Sequence, residues 1–437
     1  MTSRREFLKV AAGTATAALG LSARSYARIM GSNERVNVAI IGLHGRGYAH
    51  LDSLHVTPNA AVTHICDVDS VELGKFAEAV KKKEGRAPVA EWDFRRLLDS
   101  RDVDAVTIAT PEHWHAPMAI LALKAGKHVY VEKPCSHNPH EGELLVAAQR
   151  KYGALVQMGS QQRSSPHTIE IVRRIHEGVI GRAYFAESWY SNTRGSIGVG
   201  RHVPVPPTLD WELWQGPAPR REYRDNIHPY NWHWFWHWGT GETLNNGTHE
   251  VDVCRWALGV DLPSAVTASG GRYHYSDDWE FYDTLLTTFE YDGKMISWEG
   301  LSCQGKEYFN RSRGSLIHGT GGSVLVDRDG YQVFSLDNKI IDQFAVGTSS
   351  STHDLVSADA MTDAHFRNFV DAIRTGEPLR APVAEGNVCV TMLQLSNIAW
   401  KVGRTLRLDA ATGHILDDPA AAALFSRAYE PGWEPAL

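Results

Sequence analysis

"VNVAIIGLHGRG", Val36 to Gly47, is where the fold of this chain is decided. Val36-Asn37-Val38-Ala39-Ile40-Ile41 is a short apolar run that ends abruptly in Gly42-Leu43-His44-Gly45-Arg46-Gly47. An apolar run of this length, closed by glycine, reads as a buried strand. The G-x-x-G-x-G spacing is a variant of the dinucleotide turn. Its glycines permit a tight turn and let backbone approach a pyrophosphate, and the helix that follows turns its first N–H groups toward the phosphates. Glycine turns are common, so the context carries the reading. Val62 to Cys66 forms a second strand, and Asp67 stands at its end, 20 residues after Gly47. An acidic side chain there is placed to hold the adenosine ribose hydroxyls. Val68, not arginine, follows it, so NAD is favoured over NADP.

Strand and helix then alternate. Asp104 to Thr110 is a buried strand, Pro117 to Ala125 a helix ended by Gly126, and Lys127 to Val131 the next strand. Glu132-Lys133-Pro134 closes that strand, a helix covers about Pro139 to Tyr152, and Ala154 to Met158 is a further strand. Repeated strand–helix units imply a parallel, doubly wound α/β sheet with helices on both faces. Ligands bind such sheets outside the carboxyl ends of the strands. Gly42, Asp67, Thr110 and Lys133 all stand at such ends.

The 437 residues imply two domains, and a hydrophobic content of 43% is ample for packed cores. A net charge of −7 argues against nucleic acid or an anionic membrane as partner. The five cysteines are an odd number, widely spaced and without a C-x-x-C pair, so they read as buried free thiols. Fourteen tryptophans suit a protein that holds sugar rings. At the N-terminus, Ser3-Arg4-Arg5-Glu6-Phe7-Leu8-Lys9 precedes the apolar run Val10 to Leu21 and then Ser25-Tyr26-Ala27. This is the layout of an export signal, too short to span a bilayer, and the twin arginine resembles a Tat signal. We expect cleavage after Ala27, a linker over 28–35, a periplasmic mature protein without a membrane anchor, and the Tat machinery as export partner. That route carries folded proteins, which suits a cofactor loaded in the cytoplasm.

"ATPEHWHAPMAILALKAGKHVYVEKP", Ala109 to Pro134, resembles the Gfo/Idh/MocA oxidoreductases. The glycine turn, Thr110-Pro111, Glu132-Lys133-Pro134 and a later Gly-x-His-x-x-x-Asp element match the family in order. The resemblance implies a Rossmann domain over 36–160. It also implies an α+β domain over 161–437 with a large open, mostly antiparallel sheet that often mediates homo-oligomers. The secreted branch of the family, typified by glucose–fructose oxidoreductase, is the nearest in layout. The cofactor contacts assigned on this basis are Gly42, His44, Gly45, Arg46, Gly47 and Asp67 from the first strands. Thr110, Pro111, His115, Glu132, Lys133 and Gln161 complete them.

The second half supports this reading. Arg182 to Asn192, Ser264 to Tyr275, Tyr282 to Tyr291 and Lys294 to Leu301 alternate like strands, with a hairpin signal at Asp292-Gly293. Ser315 to His318, Ser323 to Val326 and Tyr331 to Phe334 add three more. Gly195 to Tyr230, long and proline-rich, reads as a functional loop or lid. Ala360 to Thr375 and Glu385 to Arg404 read as late helices.

Oxidising a sugar hydroxyl needs a base at the O–H and a cation that favours alkoxide character. The resemblance assigns part of this work to Lys133, whose pKa falls if it is desolvated. Pro134 restricts Lys133 to extended backbone. His249 is the second catalytic candidate, as a neutral imidazole near its ordinary pKa of about 6.5. In many relatives the element reads Asp-x-Gly-x-His; here it is Asn245-Asn246-Gly247-Thr248-His249. Asn245 can hold a hydroxyl but cannot act as a base, which moves the proton work onto Lys133 and His249. Asp252 reads as a support for the helix.

"NWHWFWHW", Asn231 to Trp238, alternates tryptophan with His233, Phe235 and His237. If extended, His233 and His237 lie about 13 Å apart, too far to share one metal ion, and no metal is assigned. A strand and turn lining a sugar pocket is the preferred reading, with Trp236 and His237 as contacts. Arg163, Tyr190, Asn192, Asn245 and His249 are the other substrate candidates. The resulting expectation is an NAD-dependent sugar oxidoreductase. A redox-neutral glycoside hydrolase working through a keto-sugar and a non-catalytic sugar-binding protein are the alternatives. The Glu-Lys-Pro triplet favours the first.

Overall fold

A computed structural model describes residues 35–346 and 359–437. The export signal and nearly all of the linker lie outside the described residues. Among those described, no helix is long and apolar enough to cross a membrane.

The first domain is laid down in strand–helix steps. β1 (Val36–Ile41) leads into α1 (Gly45–Val56), β2 (Ala60–Cys66) into α2 (Ser70–Glu84), and β3 (Val89–Glu91) into α3 (Phe94–Leu98). β4 (Ala105–Ile108) leads into α4 (His115–Lys124), β5 (His128–Val131) into α5 (Pro139–Tyr152), and β6 (Val156–Met158) completes the sheet. The six strands are parallel in the order β3-β2-β1-β4-β5-β6. The order reverses between β1 and β4, where a doubly wound sheet opens its crevice. Gly42 sits at that reversal with φ +86°, and a Cβ there would lie 2.6 Å from the carbonyl carbon of Ala109. Only glycine lets these two strand ends approach so closely. α4 begins two residues earlier than its proline suggested, because a first-turn N–H has no helical partner to lose.

After α6 (Pro166–His176), β7 (Ala183–Thr193) opens the second domain. A long crossing segment follows, holding α7 (Trp211–Gln215), and then α8 (Gly241–Asn245) and α9 (Gly247–Leu258). β8 (Ala265–Gly271), β9 (Thr284–Tyr291), β10 (Lys294–Leu301) and β11 (Cys303–Gln304) come next. β12 (Arg313–Gly319), β13 (Gly322–Val326), β14 (Gly330–Ser335) and β15 (Ile340–Ala345) continue the sheet. α10 (Ala360–Thr375), α11 (Val383–Val402) and the short β16 (Leu406–Arg407) end it. The strands order as β15-β14-β13-β12-β7-β10-β9-β8-β16, with β11 on β7, and all pairs are antiparallel except β7 with β10. This is the α/β Rossmann domain plus α+β open-sheet domain expected from the sequence.

α9 packs on the inner face of the large sheet. At its start, a Cβ on Gly247 would sit 3.0 Å from the Trp298 ring, so the helix reaches the sheet there only as glycine. α10 returns to the first domain: Phe366 stacks on Tyr130 at 4.3 Å and joins Phe369 and Val370 in the core beneath β1. All five cysteines are free and buried.

Residues 231–238 depart from expectation. Asn231–Trp234 form a 3-10 turn, and Phe235 N–H, Trp238 N–H and Gly239 N–H donate back to nearby carbonyls, so the segment coils instead of extending. The reason lies in Gly239, where a Cβ would meet Trp232 O and His233 Cα at 2.5 Å. The chain folds onto itself at that point. Its rings are shared among different neighbours: Trp234 stacks on Trp279 at 3.9 Å, Trp236 on Phe281 at 4.3 Å, and Trp238 lies edge-on to Trp211 and Trp214.

Candidate active site

One deep cleft runs along the carboxyl ends of β1, β2, β4 and β5 and continues under the second domain. Its floor is the glycine turn. His44 caps α1 without a side-chain bond, and the first turn of the helix carries no acid; Gly47 N–H turns back onto His44 O at 2.8 Å, which leaves the N–H groups of Gly45 and Arg46 to face an anion. A Cβ on Gly45 would meet nothing within 4 Å, whereas one on Gly47 would strike Gly42 O at 2.4 Å. Gly45 therefore borders open space and Gly47 closes the turn. The Asp67 carboxylate ties the turn to β2, accepting Leu43 N–H at 2.7 Å and Asp69 N–H at 2.9 Å. Each of its oxygens keeps a lone pair for a ribose hydroxyl. His44 Nε2 and Thr110 Oγ1 are buried in the cleft without partners. An anion cradle, a carboxylate at the ribose position and orphaned polar atoms between them fit a dinucleotide.

At the far end, Glu132 and Lys133 share a buried charge network. Arg46 Nε donates to Glu132 Oε1 at 2.7 Å, and His50 Nε2 lies 3.0 Å from the same oxygen. Against the cost of burial, Arg46 and His50 hold the Glu132 carboxyl well below its usual range. Gln161 sits 3.2 Å from the Tyr130 hydroxyl at the edge of this network. His115 spans two carbonyls, Pro134 O at 2.6 Å and Thr110 O at 2.8 Å, so it pins the triplet turn to the end of β4. Burial keeps its ring neutral, so it donates to one of them at a time. The Lys133–Pro134 bond is cis.

Lys133 points across the domain boundary. Its Nζ donates to Asn245 O at 2.5 Å and to Asn245 Oδ1 at 3.0 Å. Burial lowers its pKa to about 8, against the opposing pull of Glu132 and Glu112. His249, one turn further on, lines the same cavity, and its Nδ1 is buried without a partner. Burial, then the charges of Arg328, Lys133 and Arg313, hold the imidazole well below its ordinary pKa. This corrects the expectation of an ordinary histidine: the ring stays neutral and is a weak proton acceptor. Lys133 is the stronger base of the two.

Tyr190, Asn192 and Asn245 also border the cavity. Three expected substrate contacts do not. Arg163 is turned away into a buried, two-pronged ion pair with Asp252, at 2.7 and 2.8 Å, and lies over Trp256. Trp236 stacks between Phe281 and the Lys401 ammonium, 3.9 Å from its ring. His237 Nε2 bonds Pro219 O at 2.6 Å. Coiling of the aromatic segment presents Trp232 and His233 to the cavity instead.

The cavity holds further residues that the sequence did not single out. Glu112 is one: burial pushes its carboxyl up to about 7, and Thr240 Oγ1 donates to it at 2.5 Å. Arg194, paired with buried Glu242 at 2.6 Å, and Arg313, paired with Glu250 at 2.7 Å, are others, and Arg328 completes them. The three arginines lie in no motif, and the acidic partners of Arg194 and Arg313 are 48 and 63 residues away in sequence. The Thr-Pro-Glu run beside Thr110 was the one signal that could have found Glu112.

The 195–230 segment is a strap over the cleft. Ser70 N–H donates to Thr208 O at 2.9 Å and Asp210 N–H to Val68 O at 3.0 Å, which docks the segment beside Asp67. His228 meets His44 edge-on at 5.4 Å, and Trp214, His228 and Tyr230 roof the cavity. His44, Asp69 and His228 bring one ligand atom each within 4.8 Å, but the Asp69 carboxylate is already engaged in capping α2.

Comparison with known proteins agrees with this architecture. Residues 36–160 match the NAD-binding Rossmann-fold domain of the Gfo/Idh/MocA oxidoreductase family, and residues 187–435 its C-terminal alpha/beta domain. A glycosyl hydrolase family 109 protein of Saccharopolyspora erythraea is 33% identical over 164 residues, 36% of each chain. The inositol 2-dehydrogenase of Rubrobacter xylanophilus is 32% identical over 164 residues, 37% of this chain and 46% of its own. The matched stretches thus span less than half the length of these relatives. The fold matches levoglucosan dehydrogenase in complex with NADH and levoglucosan, with a TM-score of 0.65 at 20% identity over 85% of this chain and 99% of that one.

The Arg163–Asp252 pair gives a direct check on Arg163. Arg163→Ala leaves the buried Asp252 carboxylate with only the longer ion pair to Arg255, Nε at 3.8 Å, and should cost about 3 kcal/mol of stability, the lower end for a broken buried pair. Urea denaturation should show this loss, while the folded fraction keeps its KM for sugar. A raised KM in a normally stable variant would return Arg163 to the substrate site.

Proposed function

The chain belongs to the Gfo/Idh/MocA oxidoreductase family and carries its NAD-binding Rossmann domain, and on that premise we propose a periplasmic enzyme that moves hydride between a sugar hydroxyl and a tightly held NAD. The observation that carries this reading is the convergence of Lys133 Nζ, Asn245 and the unpartnered His249 ring at one end of the cofactor cleft. The nicotinamide, when bound, accepts the hydride. The protein's own part is to position the hydroxyl and take its proton. Asn245, which cannot act as a base, fixes the lysine. His249, neutral and with Nδ1 free, is placed to hold the hydroxyl. Lys133 is the base, with a pKa near the working pH, where general bases perform best. The glycine turn, Asp67 and the strap are the residues that would hold the cofactor.

Sugars as the substrate class rest on the relatives: inositol 2-dehydrogenase by sequence and levoglucosan dehydrogenase by fold. The family 109 glycosyl hydrolase match supports a second reading, in which oxidation is followed by loss of a leaving group and re-reduction. Buried Glu112, with its carboxyl near 7, is a group that could hold a proton for such a leaving group. Aglycone release from aryl glycosides would favour this course, and aldonate formation from free aldoses the first. The outer face of the large sheet leaves Leu286 and Met295 exposed, which suits a homo-oligomer built through it.

Lys133→Ala and His249→Ala should keep the cofactor and lose about 10²–10⁴ in turnover on whichever sugar proves active. Lys133 acts as a base only when neutral, so sugar oxidation should rise with pH through about 8 and then level off. The Lys133→Ala variant should lack that limb. Near-normal rates in both variants, or a profile flat from pH 6 to 9, would remove Lys133 from the base role.

Export is proposed from Ser3 to Lys9. Replacing Arg4 and Arg5 with lysines should leave a folded precursor in the cytoplasm on fractionation. Normal appearance of the double variant in the periplasm would point to the Sec route.

A further inference from the structure

The substrate half of the cavity carries an arginine, Arg328, to which no carboxylate among the described residues is paired. Arg328 lies between β13 and β14, in a turn built by its neighbour. Asp327 Oδ1 accepts Asp329 N–H at 2.8 Å and Gly330 N–H at 3.0 Å, while its other oxygen pairs with Arg311. The turn is therefore held, and the Arg328 side chain lines the cavity. It is half-buried, and its Nε is buried with no hydrogen-bond partner. The contrast with the other two arginines is sharp. Arg194 is matched by Glu242 and Arg313 by Glu250, each carboxylate fully buried. No carboxylate among the described residues pairs with Arg328. Asp359 is the other acid lining this side, and its Oδ1 is taken by Thr362 N–H at 2.7 Å and the Thr362 hydroxyl at 2.8 Å. Burial and the nearby Arg313 pull the Arg328 pKa down to about 10, against the weaker opposing pull of Glu250 and Asp359, and this still leaves it charged at neutral pH. Its charge is the strongest of the neighbouring ones acting on His249. Arg328 and His249 thus line one cavity.

A half-buried guanidinium whose Nε is shut off from water, with no carboxylate paired to it among the described residues, carries a desolvation cost that an anionic ligand would offset. From this geometry we infer that the sugar substrate carries a carboxylate and that Arg328 binds it. This inference rests on the sugar-oxidising reading above and narrows it to sugar acids. A single arginine fork matches the two oxygens and single charge of a carboxylate. A phosphate dianion would ask for a second unpaired cation beside it, and Arg313 and Arg194 are already matched. The acid group would then sit next to His249, with the hydroxyl to be oxidised at Lys133.

The test uses the cofactor-loaded enzyme and titration calorimetry. D-Glucuronate, D-galacturonate and D-mannuronate are each compared with the neutral hexose and the hexose 6-phosphate. At least one uronate should bind roughly 10- to 100-fold tighter than its neutral partner, the range expected for hydrogen bonds to a charged group. Arg328→Gln should collapse that preference to near unity, and Arg328→Lys should restore part of it. The substitution breaks no ion pair, and an unchanged melting temperature checks that the fold is intact. Equal binding of acids and neutral hexoses, a preference for the 6-phosphates, or a preference that survives Arg328→Gln would each overturn the assignment. NADH formation is recorded in parallel. Uronate binding that depends on Arg328 without NADH formation would sink the redox reading and leave the acid-binding role of Arg328 standing.

Discussion

The site depends on one contact across the domain boundary, the bond from Lys133 Nζ to the carbonyl and side chain of Asn245. Lys133 belongs to the parallel sheet and Asn245 to the helical turn that carries His249. Neither domain has an active site alone. The contact brings Lys133, the proposed base, from one and the His249 imidazole from the other to a common cavity. Asparagine in place of a carboxylate matters here. A carboxylate would hold Lys133 as a firmly charged ammonium, whereas a neutral amide leaves burial to set its pKa near 8.

A second buried network stands behind the first. Arg46, in the glycine turn, and His50, on the helix that follows, both bind Glu132. The segment that would cradle the pyrophosphate is thus tied to the residue before Lys133. His115 adds a further tie from Thr110 to Pro134. Cofactor seat and base are held as one rigid unit, which is what hydride transfer at fixed geometry requires.

Much of this was legible in the sequence where local rules act. The glycine turn, Asp67 and the alternating strands follow from periodicity and from positions that only glycine tolerates. They fixed the Rossmann half and the open sheet. Lys133 and His249 stand in motifs, and the structure brings both to one cavity. The failures concern a local fold-back that alternation hides and partners that lie far away in sequence. Trp236 and His237 alternate as a strand would, but Gly239 folds that segment onto itself and hands the cavity to Trp232 and His233. Arg163 looked available until Asp252, 89 residues away, claimed it. Glu112, Arg194, Arg313 and Arg328 acquire meaning only from neighbours that the fold supplies. His249 lines the cavity as its motif suggested, but its basicity was not legible, because burial and then the charges of Arg328, Lys133 and Arg313 that suppress it are supplied by the fold.

The strap over 195–230 bears on how the enzyme would work if exported. It docks beside Asp67 and roofs the cleft with Trp214, His228 and Tyr230. A cofactor enclosed in this way and loaded before export could not exchange, so each oxidation would have to be followed by a reduction in place. Retention through purification needs roughly nanomolar affinity, about 12 kcal/mol. The direct measurement is the nicotinamide content of protein purified without added cofactor, together with its turnover in cofactor-free buffer. The account predicts about one NAD(H) released per chain on denaturation, and many turnovers with an oxidisable and a reducible sugar present. Empty protein whose activity follows added NAD, with a KM in the micromolar-to-millimolar range usual for exchanging enzymes, would contradict it.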